Sequence, residues 1–157
     1  MSTSELQQQR KASRSCNEDV LLDVGFCKVG NSSLYKKGTH SYILSPGISQ
    51  GKHEKYWFDI REANLQRIGK SPKVWILLRI VPSWFAFFPI DQISKYMNEQ
   101  THDIRSNSGL VYGFYCELDE QNRRLTITSK NDESSSFSTE LLDRAKVEQI
   151  LANEVKS

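Results

Sequence analysis

Apolar side chains gather between Tyr56 and Met97, a stretch that holds all three tryptophans and the longest apolar run, Val74 to Ile90. Within it, Trp75, Leu77 and Arg79 alternate with Val74, Ile76, Leu78 and Ile80, the period of two that sends successive side chains to opposite faces of a strand. The alternation predicts strands over Lys73–Val81 and Trp84–Pro89, joined so tightly at Pro82 and Ser83 that they must be antiparallel neighbours. Tyr56–Phe58 reads as a strand ahead of them. Asp59 and Glu62 have the spacing of a capping box, which predicts a helix through Ala63, Leu65 and Ile68 that stops at Gly69. After Pro89, Ile90, Ile93 and Met97 recur at helical spacing, with Asp91 in the favourable first turn.

The flanks are less regular. Val20–Val29 mixes β-branched residues with an internal Gly25, which predicts a bulged strand. Gly30 to Ser33 marks a turn, and His40–Leu44 a short strand in which Tyr42 and Leu44 share a face. His102 to Ser108 and Lys130 to Ser136 are polar and read as loops, whereas Leu110–Leu118 and Arg124–Ser129 form a hairpin around Asp119 to Asn122. Phe137–Leu142 reads as a short strand, and Asp143 as the N-cap of a closing helix with Val147, Ile150 and Leu151 inward.

These elements predict an α+β fold: a mainly antiparallel sheet of about six to seven strands with about three helices, and room for one parallel pairing across the helix after Asp59. Residues 1–16, rich in Gln, Arg and Lys, are expected to be a disordered polar tail, and 17–157 a single compact domain. Composition agrees, since 157 residues at 38% hydrophobic and 25% charged can bury a core without disulfides. Arg79, Pro82, Ser83 and Pro89 interrupt the longest apolar run, so no membrane span is expected. The three cysteines are odd in number and lack C-x-x-C spacing, which fits reduced thiols and a cytoplasmic setting. No cofactor is expected, and the oligomeric state is not encoded in any pattern.

Charge changes the picture more than composition does. Residues 1–80 carry 13 Lys and Arg against 7 Asp and Glu, whereas residues 81–157 carry 8 against 12. The basic half contains Lys36, Lys37, Lys52, His53, Lys55, Trp57, Arg61, Arg67 and Lys70, a mixture of cations and aromatic rings suited to phosphate contacts and base stacking. The leading expectation is therefore a nucleic-acid-binding or nucleic-acid-associated accessory domain, with nucleic acid or an acidic protein as partner. The alternative is a non-catalytic protein-interaction module using a sheet edge or the Trp84 to Phe88 surface.

Catalysis is the weakest reading. Glu54, Asp59 and Glu62 beside Lys55 could hold a metal ion for phosphodiester hydrolysis, but the spacing is unspecific and the capping box already accounts for two of the acids. A phosphate loop at Ser45 to Glu54 fails, because Pro46 stands where a glycine is required and His53 where a hydroxyl is. Cys116, amid Tyr112, Phe114 and Leu118, is expected in the core.

Overall fold

A computed structural model describes residues 17–30, 32–38, 41–50, 55–70, 73–81, 84–107 and 109–154. The expected tail, Asn31, Lys52, His53, Glu54 and the Pro82–Ser83 connection lie outside the described residues. In chain order the elements are α1 (17–23), β1 (Cys27–Lys28), β2 (Leu34–Lys37), β3 (Ser41–Leu44), β4 (Ser49–Gln50), β5 (Tyr56–Arg61), α2 (Glu62–Ile68), β6 (Lys73–Val81) and β7 (Trp84–Pro89). There follow α3 (Asp91–Ser94), β8 (His102–Arg105), β9 (Gly109–Asp119), β10 (Arg124–Ser129), β11 (Asp132–Leu142) and α4 (Arg144–Glu154).

The strands form one mixed sheet in the order β1-β2-β3-β6-β7-β11-β10-β9-β5-β4, with β8 attached to β9. β11 is where the sheet turns back on itself. From Asp132 to Glu140 it pairs with β10, but Leu141 and Leu142 pair with Ala86 and Phe85 of β7. The two halves so joined face each other across one apolar cluster. Leu34, Leu44, Ile76, Leu78, Ala86 and Phe88 of the first half meet Phe58, Ile60, Phe114, Cys116, Leu125 and Ile127 of the second. The first half is also covered on its other face. There Val20 and Leu21 of α1 and Val147 and Leu151 of α4 pack with Ile43, Leu77, Phe85 and Phe87. The molecule therefore has three layers: two helices, the first half-sheet and the second half-sheet.

The architecture corrects the expected fold class. Eleven strands are present among the described residues, not six to seven, with four short helices, and strand exceeds helix by 51% to 22%. The chain is mostly sheet rather than α+β in the expected proportions. Of the strands that the pattern does not announce, β2 is short and contributes the buried Leu34 and Tyr35, and the others lie where the sequence is polar. β8 and the first half of β11 expose Ile104, Arg105, Glu133, Ser134 and Ser136, so backbone pairing defines them and no apolar alternation announces them.

Val20–Val29 is likewise not a bulged strand. Asn17, Val20, Leu21 and Val24 recur at helical spacing and form the covered face of α1, which ends at Gly25 with φ 92°. There Gly25 N–H donates to the Leu22 carbonyl at 3.1 Å and Phe26 N–H to the Leu21 carbonyl at 2.9 Å, the paired bonds of a Schellman cap. The glycine that argued against a helix is the one that stops it.

The capping box also fails. β5 continues through Arg61, which is the residue before α2 and makes no side-chain cap bond. The one parallel pairing among the described residues is β3 with β6, not β5 with β6, because β5 leaves for the other half of the sheet. The helix read from Ile90 to Met97 is only the four residues of α3. Most of the Trp84 to Phe88 stretch offers no surface for docking: Phe85 and Phe87 are buried under the helices, Ala86 and Phe88 between the half-sheets, and Trp84 alone is half-buried.

Other expectations hold. β6 and β7 have the predicted limits and are antiparallel, and the two faces of β6 enter different clusters as its alternation required. Asp143 accepts from Lys146 N–H at 2.8 Å and caps α4. Gly69 closes α2 with φ 61° and ψ −131°, a conformation closed to side-chain-bearing residues. A Cβ there would meet open space, so Gly69→Ala is expected to cost about 1–3 kcal/mol from backbone strain alone, read as a lower urea midpoint at unchanged slope. Phe114 is fully buried and stacks on Phe58 with ring centroids 5.2 Å apart. Phe114→Ala should remove about 3–5 kcal/mol, enough to leave a domain of ordinary stability marginally folded, and the same denaturation series measures it.

Candidate interaction face

Among the described residues, the second half-sheet is covered by another layer on one side only. Its inner side chains enter the core, and α2 adds Leu65 and Ile68 to that same cluster, so no described helix packs on its outer side. Strand alternation places Trp57, Asp59 and Arg61 of β5 outward, because Phe58 and Ile60 are inward, and Lys55 just ahead of the strand lies on the same side, over the Tyr115 ring. The β5–β9 register sets Trp57 beside Tyr115 and Asp59 beside Gly113. The outer face thus has an aromatic centre. Trp57 and Tyr115 are half-buried with centroids 5.3 Å apart, and Lys55 Nζ lies 4.4 Å from the Tyr115 centroid.

Around this centre the charges come in opposed pairs. Lys55 lies 3.9 Å from Glu117, Arg105 Nη1 3.4 Å from Asp59, and Lys130 Nζ 3.0 Å from Asp103. The last two tie β8 to β5 across β9 and to the residue that follows β10. Asn131 strengthens the hold, its amide donating to the Thr101 carbonyl at 3.0 Å and to Asp103 at 3.1 Å. Gly113 makes room for the crossing side chains. A Cβ at that position would lie 3.2 Å from Lys130 Cδ and 3.3 Å from Asp59 Oδ1.

Only some of the residues singled out from sequence come together. Lys55, Trp57 and Arg61 share the outer face, while the exposed Arg67 and Lys70 belong to α2 and the turn after it. Lys36 and Lys37 are on β2 of the other half-sheet. Lys37 Nζ donates to the Val24 carbonyl at 3.0 Å, on the helix side of the molecule. Asp59 and Glu62, read together as a metal or cap pair, are separated: Asp59 faces Arg105, and Glu62 accepts from Tyr112 Oη at 2.9 Å. Among the described residues no three His, Cys, Asp or Glu side chains are grouped to hold a metal ion. Nor is any described helix long and apolar enough to cross a membrane.

Sequence reasoning missed Tyr115, Glu117, Asp103, Arg105 and Lys130, which reach the face from β9, β8 and the end of β10. The one available signal was the outward parity of Tyr115 in the predicted hairpin. It also missed a cleft of about 280 Å³ lined by Trp84, Leu118, Glu120, Arg123 and Leu141. Arg123 has φ 52° and carries its guanidinium 4.7 Å above the Trp84 ring. The cleft is smaller than the roughly 300–1,000 Å³ of ordinary ligand sites, so we read it as a cation–π clasp between the β9–β10 turn and β7.

Two ionisations report this geometry. Burial, with help from the Glu62 carboxylate, pushes the Tyr112 phenol up to about 12. Its neutral form is the one the fold favours, so its contribution is complete below about pH 10 and is lost as pH rises through the folded value. The hydrogen bond from Lys130, then that from Asn131, hold Asp103 below the usual carboxylate range. The contribution of that clip is present above about pH 4 and is lost as pH falls through the folded value. Lys130→Gln is expected to return Asp103 toward the ordinary value of about 3.9, measured by carboxyl carbon shifts in a pH titration, and an unchanged Asp103 would contradict the clip. Compared with protein-family models, curated proteins and solved structures, the chain matches none.

Proposed function

We propose that this chain is a non-catalytic protein-interaction module that presents the outer face of its second half-sheet to a protein partner. The observation that carries the reading is the Trp57–Tyr115 pair set within a rim of charges that balance each other. An aromatic centre inside a polar rim is the anatomy of a protein–protein hot spot. Binding to a polyanion calls for cations free to displace its counterions. Here Lys55, Arg105 and Lys130 already oppose carboxylates, and Lys37 is turned to the opposite side of the molecule. The exposed Cys27 and the buried Cys116 are both free thiols, which fits a reducing cytoplasmic setting.

The same aromatic pair supports a second reading, association with single-stranded nucleic acid by stacking. Lys55 over Tyr115 and the exposed Arg61 at the end of β5 favour it. Capture from cell extract by the immobilised full chain separates the two. The interaction reading expects a protein retained after nuclease treatment and at high salt, and held about 30-fold more weakly by Trp57→Ala, as for a hot-spot tryptophan worth about 2 kcal/mol. Retention that requires nucleic acid and falls steeply with salt would select the second reading. Equal retention by wild type and Trp57→Ala would defeat both.

A further inference from the structure

We infer that β8 is a self-pairing edge, and that two copies of this chain join there as an antiparallel dimer with a continuous sheet. The argument starts from the direction of the backbone groups. Lys130 N–H donates to the Gly113 carbonyl at 2.9 Å, which shows that odd-numbered residues of β9 aim their N–H and C=O groups toward β10 and β8. In the β8–β9 register, Asp103 lies opposite Val111 and Arg105 opposite Gly109, so these two residues exchange bonds with β9. The N–H and C=O of Ile104 must then point away from β9, into an edge on which no described strand pairs.

Ile104 is 79% exposed, more than any other large apolar side chain among the described residues. An edge that combines open backbone groups with a bare apolar side chain is a template for another strand. The partner we assign is a second copy, because the sequence Asp103-Ile104-Arg105 is complementary to itself when reversed. In a two-fold register centred on Ile104, each Ile104 exchanges both hydrogen bonds with its counterpart, and the two side chains meet on one face. Asp103 then stands opposite Arg105 of the second copy, at the closer, non-hydrogen-bonded positions of an antiparallel ladder. No like charges oppose each other in this register. The row across the outer face reads Lys130, Asp103, then Arg105 and Asp59 of the second copy, with signs alternating throughout.

The pairing stands apart from whatever the Trp57–Tyr115 face binds, but it would place two such faces side by side, so that a partner with two sites gains from avidity. The contact is short, and a concentration-dependent dimer is expected. The test is sedimentation of the full chain over a wide concentration range, with amide exchange of Ile104 followed in parallel. The expected result is a rise toward twice the single-chain mass, with Ile104 N–H becoming protected as the dimer forms and Asp103 N–H protected throughout. Ile104→Lys should weaken dimerisation at least tenfold. Ile104→Pro removes only the outward N–H, a substitution that edge strands tolerate, and should do the same. A chain that stays monomeric at millimolar concentration overturns the proposal. So does a dimer unaffected by Ile104→Lys, or one in which the Ile104 amide exchanges freely.

Discussion

The structure depends on one strand serving both halves of the sheet. β11 pairs with β10 between Asp132 and Glu140 and gives its last two residues to β7, and this is the only backbone ladder that links the half-sheets among the described residues. Folding the sheet over at this point lets Phe88 and Phe137 meet edge to face at 5.0 Å and encloses the larger apolar cluster. The clasp of Arg123 on Trp84 and the bond from Leu141 N–H to the Arg123 carbonyl, 2.8 Å, sit at the same junction. A sheet of this width has to curl or split to bury apolar surface, and here it does so where one strand changes partner.

That bend also decides what is exposed. The first half-sheet lies between helices and second half-sheet, so its two tryptophans and its phenylalanines are spent on packing. Among the described residues the second half-sheet has one covered face, and its outer face keeps Trp57 and Tyr115 half-buried. The charges around them are arranged in local pairs, partly because Gly113 lets long side chains cross the strand without obstruction. Surface pairs of this kind add little stability singly, and their larger effect here is to fix β8 in place and to make the face electrically balanced.

The legible parts of the fold are those where a single strand or helix meets one chemical environment per face. β6 is the clearest case, since each of its faces enters a different apolar cluster and its alternation states both. Asp143 and Gly69 were legible because caps are local hydrogen-bond chemistry. β8 and the start of β11 were not, because edge strands with polar side chains are held by backbone bonds to partners far away in sequence. α1 was misread because Asn17 occupies an inward position and Gly25 looks the same in a bulge as in a helix cap.

The candidate face divides in the same way. Lys55, Trp57 and Arg61 could be chosen from sequence as a cation and aromatic group, but their alternating neighbour Asp59 could not be paired with Arg105, 46 residues away, without the strand register. The excess of positive charge in the first half of the chain is a property of sequence alone. Whether those charges converge is a property of the layers, and Lys37 and Lys55 end on opposite sides. The sequence by itself determined the core strands, the caps and the residue types offered for binding, because these follow from local periodicity and backbone chemistry. Only the tertiary structure decided which strands pair, which face stays open and which charges neutralise each other, because those depend on contacts between residues that no local pattern connects.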